Sequence, residues 1–183
     1  MRRARSSVVV VVVGVLAFVA LAAVIIASTT RAVAAGCKAE KGTYLATTAS
    51  FRFALQVGMP EEMYTPAQVK EMHPKTGEVM LGGHMSMDGM SMGGMTRHLE
   101  VQICSEATKS VITNASPTIA LKDDTMRGSA RLVPIAVMTG IGEGNAGLHY
   151  GNNTPMHGGE MFTVTVRLEG EHAVFHVTSP KAM

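Results

Sequence analysis

Residues 162–177 constrain the fold most. Phe162, Val164, Val166 and Leu168 alternate with Thr163, Thr165 and Arg167, and Ala173, Phe175 and Val177 alternate again after Glu169-Gly170-Glu171. Successive side chains of a strand point to opposite faces, so a period of two gives a strand with one buried face. Two such runs about a short Gly-containing turn read as a hairpin. The pattern recurs. Phe51, Phe53, Leu55 and Val57 alternate with Arg52, Ala54 and Gln56, and Leu99, Val101 and Ile103 repeat it. Val111–Thr113 and Thr118–Leu121 predict shorter strands. Leu132, Ile135 and Val137 predict another, which Pro134 confines to an edge or a bulge. A short helix fits Thr65–Met72, with Thr65 as cap and Pro66 at its first position. Residues 58–82 otherwise read as a Pro/Gly-rich connection, and 141–153 as a Gly-rich loop. The fold class is all-β, an antiparallel β-sandwich.

The N-terminus is of another kind. Val8 to Ala27 is apolar throughout and comes after Arg2, Arg3 and Arg5. A run of that length spans a bilayer as a helix, and the basic flank directs the remainder of the chain outward. Ala32-Val33-Ala34 also offers a small-residue cleavage site. Residues 1–35 are therefore read as a signal peptide or a membrane anchor. Residues 36–183 are read as one metal-binding β-sandwich domain, with a Met-rich loop at 82–96. The expected location is the cell envelope: extracytoplasmic, and either membrane-anchored or secreted. Export implies an oxidising compartment, where Cys37 and Cys104 pair by default. Cys37 also ends a degenerate lipidation motif, Val33-Ala34-Ala35-Gly36-Cys37, and Cys104 as a metal ligand is a further alternative.

Composition removes some functions. Without Arg2, Arg3, Arg5 and Arg31 the chain has 12 basic against 14 acidic residues, or −2. No basic patch argues for nucleic acid, and there is no Trp to stack on bases or sugars. No nucleophile–base pair or cofactor fingerprint stands out, so the chain reads as a binding protein and not an enzyme.

Ligand chemistry is concentrated at residues 84–100, HMSMDGMSMGGMTRHLE. Met85, Met87, Met90, Met92 and Met95 alternate with Ser, Asp and Gly, which cannot build a core. A thioether is a soft, neutral ligand for Cu(I) or Ag(I). Oxidant scavenging is the other chemical use of such sulfurs. Beyond the run, His98 and Glu100 lie on the face of their strand opposite Leu99, Val101 and Ile103, side by side on an exposed sheet face. Met138 and His149 form a second cluster, His149 in the Gly-rich stretch. His172 and His176 share a strand face and could add a ligand.

Two segments carry a resemblance. Arg97-His98-Leu99-Glu100-Val101-Gln102-Ile103 and His149-Tyr150-Gly151-Asn152-Asn153 resemble motifs of the periplasmic, copper-binding, iron-uptake-linked proteins known as the Fe²⁺ transport protein family. The resemblance covers roughly residues 97–153. It implies an immunoglobulin-like, cupredoxin-like sandwich, dimerisation, and work beside an iron permease. It implies metal ligation by His98, Glu100, Met138 and His149. The Met-rich run is no feature of that family, and it favours copper, as Cu(I) or Cu(II), over iron. A rival reading makes the chain a surface interaction module with the Met run as an adaptable contact surface.

Overall fold

The computed structural model describes Cys37 and residues 41–85, 95–126 and 128–181. All of them belong to one compact unit, Val33–Met183. The expected signal or anchor segment lies outside the described residues. Among the described residues, no helix is long and apolar enough to cross a membrane.

The alternating stretches become strands. They are β1 (Tyr44–Thr47), β2 (Phe51–Gly58), β3 (Met63–Tyr64), β4 (Glu78–Gly83), β5 (Thr96–Ser105), β6 (Thr118–Asp123), β7 (Arg131–Leu132), β8 (Ala136–Gly140), β9 (His149–Pro155), β10 (Met161–Leu168) and β11 (Glu171–Thr178). Among the described residues, one sheet has seven strands in the order β1-β2-β5-β9-β8-β4-β3, and the other has four in the order β11-β10-β6-β7. The core lies between the sheets. Phe53, Leu55, Leu99, Val101, Ile103 and Tyr150 of the larger meet Ile119, Val164, Val166, Phe175 and Val177 of the smaller. The all-β sandwich is therefore the fold, with one departure from an antiparallel plan: β3 pairs with β4 in parallel.

The hairpin β10–β11 closes through Glu169 and Gly170, with φ of 50° and 83°. Two consecutive positive φ values give a tight turn whose twist matches the strands it joins. The helix α1 (Pro66–Met72) forms as the sequence predicts. The Thr65 side chain accepts from the Gln68 N–H, and the Gln68 side chain accepts from the Thr65 N–H.

Five expectations change. Residues 58–82 are not all connection, because they contain β3 and β4. Both ends of the stretch read as a loop over 82–96 are strand, since β4 runs to Gly83 and β5 starts at Thr96. Val111 makes only an isolated bridge to Cys104. The strand expected over residues 132–137 is two: β7 in the small sheet and β8 in the large one. Val133-Pro134-Ile135 lies where the chain changes sheets, and proline there costs no ladder hydrogen bond. His149 starts a strand and does not sit in a loop.

Cys37 and Cys104 are joined by a disulfide across a sequence separation of 67. That use of both sulfurs removes Cys104 as a ligand and Cys37 as a lipid acceptor. Closing such a loop stabilises the fold by about 4 kcal/mol in the chain-entropy model.

Candidate metal centre

Register assembles the centre. Residues directly opposite in paired strands share a sheet face. Met80 of β4 lies opposite Met138 of β8, and Met138 lies opposite His149 of β9. Two residues along β9, Gly151 lies opposite Glu100 of β5, and Asn153 lies opposite His98. Glu78, two residues before Met80, points to the same face. Three strands of the large sheet thus put Glu78, His98, Glu100 and His149 on its outer side, away from the core.

Gly151 permits the approach. A Cβ at that position would lie 1.9 Å from the Leu99 carbonyl oxygen and 2.8 Å from the Glu100 Cα. Any larger residue would push β9 off β5 beside the very carboxylate the site uses.

The face is not open, as its sequence suggests, but buried: His98 and His149 are 3% and 5% exposed. The segment around β3 folds against it. Asn153 accepts from the Glu61 N–H at 3.1 Å and donates to the Glu61 carbonyl at 2.7 Å. Its amide nitrogen also lies 3.5 Å from the Met63 sulfur.

Each pair of ligand atoms from Glu78, His98, Glu100 and His149 lies within 4.8 Å. His149 Nε2 is 3.2 Å from the Glu100 carboxylate and 3.5 Å from that of Glu78, and His98 Nε2 is 3.6 Å from Glu100. The two imidazole rings meet edge to face with centroids 5.9 Å apart.

The neighbours fix which ring nitrogen bears the lone pair. The Gly147 carbonyl oxygen, 2.8 Å from His149 Nδ1, can only accept, so Nδ1 carries the hydrogen. For His98 the tautomer is set through Asn153. That amide is oriented by the backbone of Glu61: its oxygen takes the N–H and its nitrogen serves the carbonyl. Its oxygen is therefore the atom 3.1 Å from His98 Nδ1, and Nδ1 again donates. Both Nε2 atoms are left as lone-pair donors. Ligating histidines are commonly held in this way through the other ring nitrogen.

With both rings neutral, two lone pairs and two carboxylates thus face one another with no hydrogen to share. Glu78 Oε2, His98 Nε2 and His149 Nε2 are buried without hydrogen-bond partners. Buried acceptors left unpaired are costly, and a cation at their centre would satisfy all of them. Protonation reflects the same crowding. Burial opposes charge on His98 most strongly, yet the Glu100 carboxylate, with Asn153 and Glu78, outweighs it and raises the pKa. Burial pushes Glu100 upward, but His98 and His149 hold it below the ordinary carboxylate value. Glu78 is raised, chiefly by burial, against the pull of His149 and His98.

The structure therefore brings His98, Glu100 and His149 together and adds Glu78, which sequence reasoning placed in a connection. The signal for Glu78 was slight: Glu78, Met80 and Gly82 alternate with Val79 and Leu81 in a stretch dominated by turn residues. Met138 is fully buried on the same face, opposite His149, within a group of Met63, Ala136, Met80 and Met85. Met85 is in that group, and Met95 leads into β5, its carbonyl accepting from the Met156 N–H. Met87, Met90 and Met92 lie outside the described residues. His172 and His176 are corrected: they stand exposed on β11, on the outer side of the other sheet.

No protein-family model matches the chain, and no curated protein does. Among solved structures, a DUF4426 family protein from Pseudomonas aeruginosa PAO1 is 13% identical. Its alignment covers 79% of this chain and 100% of that one, with a TM-score of 0.45. A likeness that distant carries nothing to the site.

Proposed function

We propose that this chain is an exported copper-binding protein that holds a divalent ion between Glu78, His98, Glu100 and His149 and serves metal uptake or copper homeostasis. One observation supports this above all: four ligand atoms converge within 4.8 Å, both imidazoles offering Nε2 lone pairs. Two imidazole nitrogens and two carboxylate oxygens suit a borderline divalent ion, and Cu(II) binds such sets tightest among the first-row metals. The Met-rich run from Met85 to Met95 supplies the complementary chemistry, capture of Cu(I) by thioethers. The disulfide suits an oxidising compartment, in keeping with the apolar N-terminal run. The motif resemblance extends the reading to iron-linked uptake beside a permease and to a homodimer. The reading involves no bond-breaking chemistry.

The test is a titration of the purified domain with Cu(II), and with Cu(I) under reducing conditions, with and without His149→Ala. The expected result is one Cu(II) equivalent, lost in the variant, with Cu(I) uptake by the Met-rich run retained. Cu(II) stoichiometry and affinity unchanged by His149→Ala would remove the site. Retained partner capture with fewer Cu(I) equivalents on replacing the Met run distinguishes this reading from the interaction-module alternative, which expects the reverse.

A further inference from the structure

The outer face of the large sheet carries a second group of ligand-type side chains. Met63 and Met138 are buried there with Ala136, and Met80 and Met85 pack against them. Register ties these sulfurs to the metal centre. Met80 is opposite Met138, Met138 opposite His149, and Met63 opposite Glu78. The Met63 sulfur also lies 3.5 Å from Asn153 Nδ2, on the same side chain that orients His98.

Methionines often do no more than fill an irregular hydrophobic gap. The make-up of the two clusters speaks against that here. Among the described residues, the intersheet core has nineteen buried members, and Met156 is its one methionine among Leu, Ile, Val, Phe, Tyr and Ala. This chain packs with branched and aromatic residues where it needs packing. On the outer face the group, among the described residues, has no Leu, Ile, Val or Phe: it is four methionines and one alanine. Its last member, Met85, is also the first methionine of the Met-rich run.

We propose that Met63, Met80, Met85 and Met138 form a second metal site, selective for a soft monovalent ion such as Cu(I) or Ag(I), beside the Glu78/His98/Glu100/His149 centre and distinct from it. Thioethers are neutral, so the site discriminates against divalent ions, which gain more from carboxylate and imidazole. The centre keeps the harder ion, and the two positions lie on adjoining strand pairs of a single sheet face. This goes beyond the divalent-site reading and does not depend on it.

The experiment uses the full domain with methyl-labelled methionine, in a background where Met87, Met90, Met92 and Met95 are replaced by Leu. Ag(I), which is redox-inert, is titrated as the soft probe, and Zn(II) in a parallel sample as the divalent one. The expected result is that Ag(I) shifts the methyl resonances of Met63, Met80, Met85 and Met138. Adding Met63→Leu and Met80→Leu then weakens Ag(I) by more than about tenfold, where tenfold is about 1.4 kcal/mol, with Zn(II) affinity unchanged. Met→Leu conserves volume, so the fold persists. Ag(I) affinity unaffected by the double change, or no movement of those four resonances, overturns the proposal. Parallel loss of Zn(II) and Ag(I) overturns the claim of two sites. Ag(I) binding in a chain that fails to take Zn(II) upholds this site and refutes the divalent one.

Discussion

Replacing Asn153 by Ala tests the assigned lone pairs without touching a ligand. The side chain is 6% exposed and, besides a weak hydrogen bond to the Met63 sulfur at 3.5 Å, makes three to nitrogen and oxygen partners: His98 Nδ1 at 3.1 Å, the Glu61 N–H at 3.1 Å and the Glu61 carbonyl at 2.7 Å. At about 1 kcal/mol net each, their loss costs about 3 kcal/mol, and stranding the buried His98 N–H adds roughly 1 kcal/mol more. For a domain of this size the melting temperature should fall by roughly 8–16 °C. Divalent-ion affinity should fall roughly 10- to 100-fold, the usual effect of losing the partner that orients a ligating histidine. Asn153→Asp separates the two effects. It keeps an oxygen for His98 Nδ1 but cannot donate to Glu61, so stability drops while most of the metal affinity remains. The assay is Zn(II) competition against a chromophoric chelator, well below the melting temperature, beside thermal unfolding in chelator. If Asn153→Ala melts earlier yet binds Zn(II) as tightly as the parent, the inferred tautomer of His98 is wrong.

The same geometry has further consequences. Glu78→Gln removes a direct donor, so Cu(II) or Zn(II) affinity should fall by at least about 100-fold, beyond the usual effect of an orienting partner; His172→Ala with His176→Ala should leave calorimetric binding unchanged. For the metal-free protein, His98 is raised, so its stabilising contribution is complete below its ordinary 6.5 and is lost as pH rises through the folded value. Glu100 is lowered, so its contribution is present above its ordinary 4.5 and is lost as pH falls through the folded value. Glu78, raised, favours folding less once pH climbs above its ordinary 4.5. These three groups place the greatest stability of the metal-free form near 4.5, with a decline above it that Glu78 begins and His98 continues beyond 6.5. Metal affinity has the opposite slope, rising with pH as His98 loses its proton. Melting curves in chelator and with saturating Zn(II), from about pH 5 to about pH 8, should therefore diverge as pH rises, and parallel curves contradict the assignment. Cys37→Ser with Cys104→Ser should cost about 4 kcal/mol of unfolding free energy, read by urea titration.

The strands that build the core were legible because each keeps one face apolar. Leu99, Val101 and Ile103 announce β5, and by elimination they assign His98 and Glu100 to the other side. Periodicity could not say that this other side is buried, because the cover comes from Glu61 and Met63, far away in sequence, and is fastened by Asn153. Glu78 was hidden for a related reason. Its strand β4 lies on the outer part of the sheet, with half-buried or exposed residues throughout and a register shift between Met80 and Gly82. Neither face of it is strongly apolar. His149 looked like a loop residue because the glycines around it signal turns. Gly147 does end a turn, but Gly151 is a strand residue, glycine because of the close approach to Leu99 and Glu100. Val133-Pro134-Ile135 shows the same limit: alternation continues through a point where the chain passes from one sheet to the other.

The proposed metal centre rests on four side chains from β4, β5 and β9 binding one divalent ion. A crystal of the protein grown with Zn(II) or Cu(II), with anomalous data collected on both sides of the metal edge, tests it most directly. The expected map has a single strong peak about 2 Å from Nε2 of His98, Nε2 of His149 and carboxylate oxygens of Glu78 and Glu100. A peak elsewhere, such as beside the exposed His172 and His176, with the Glu78 cluster empty at saturating metal, would contradict it.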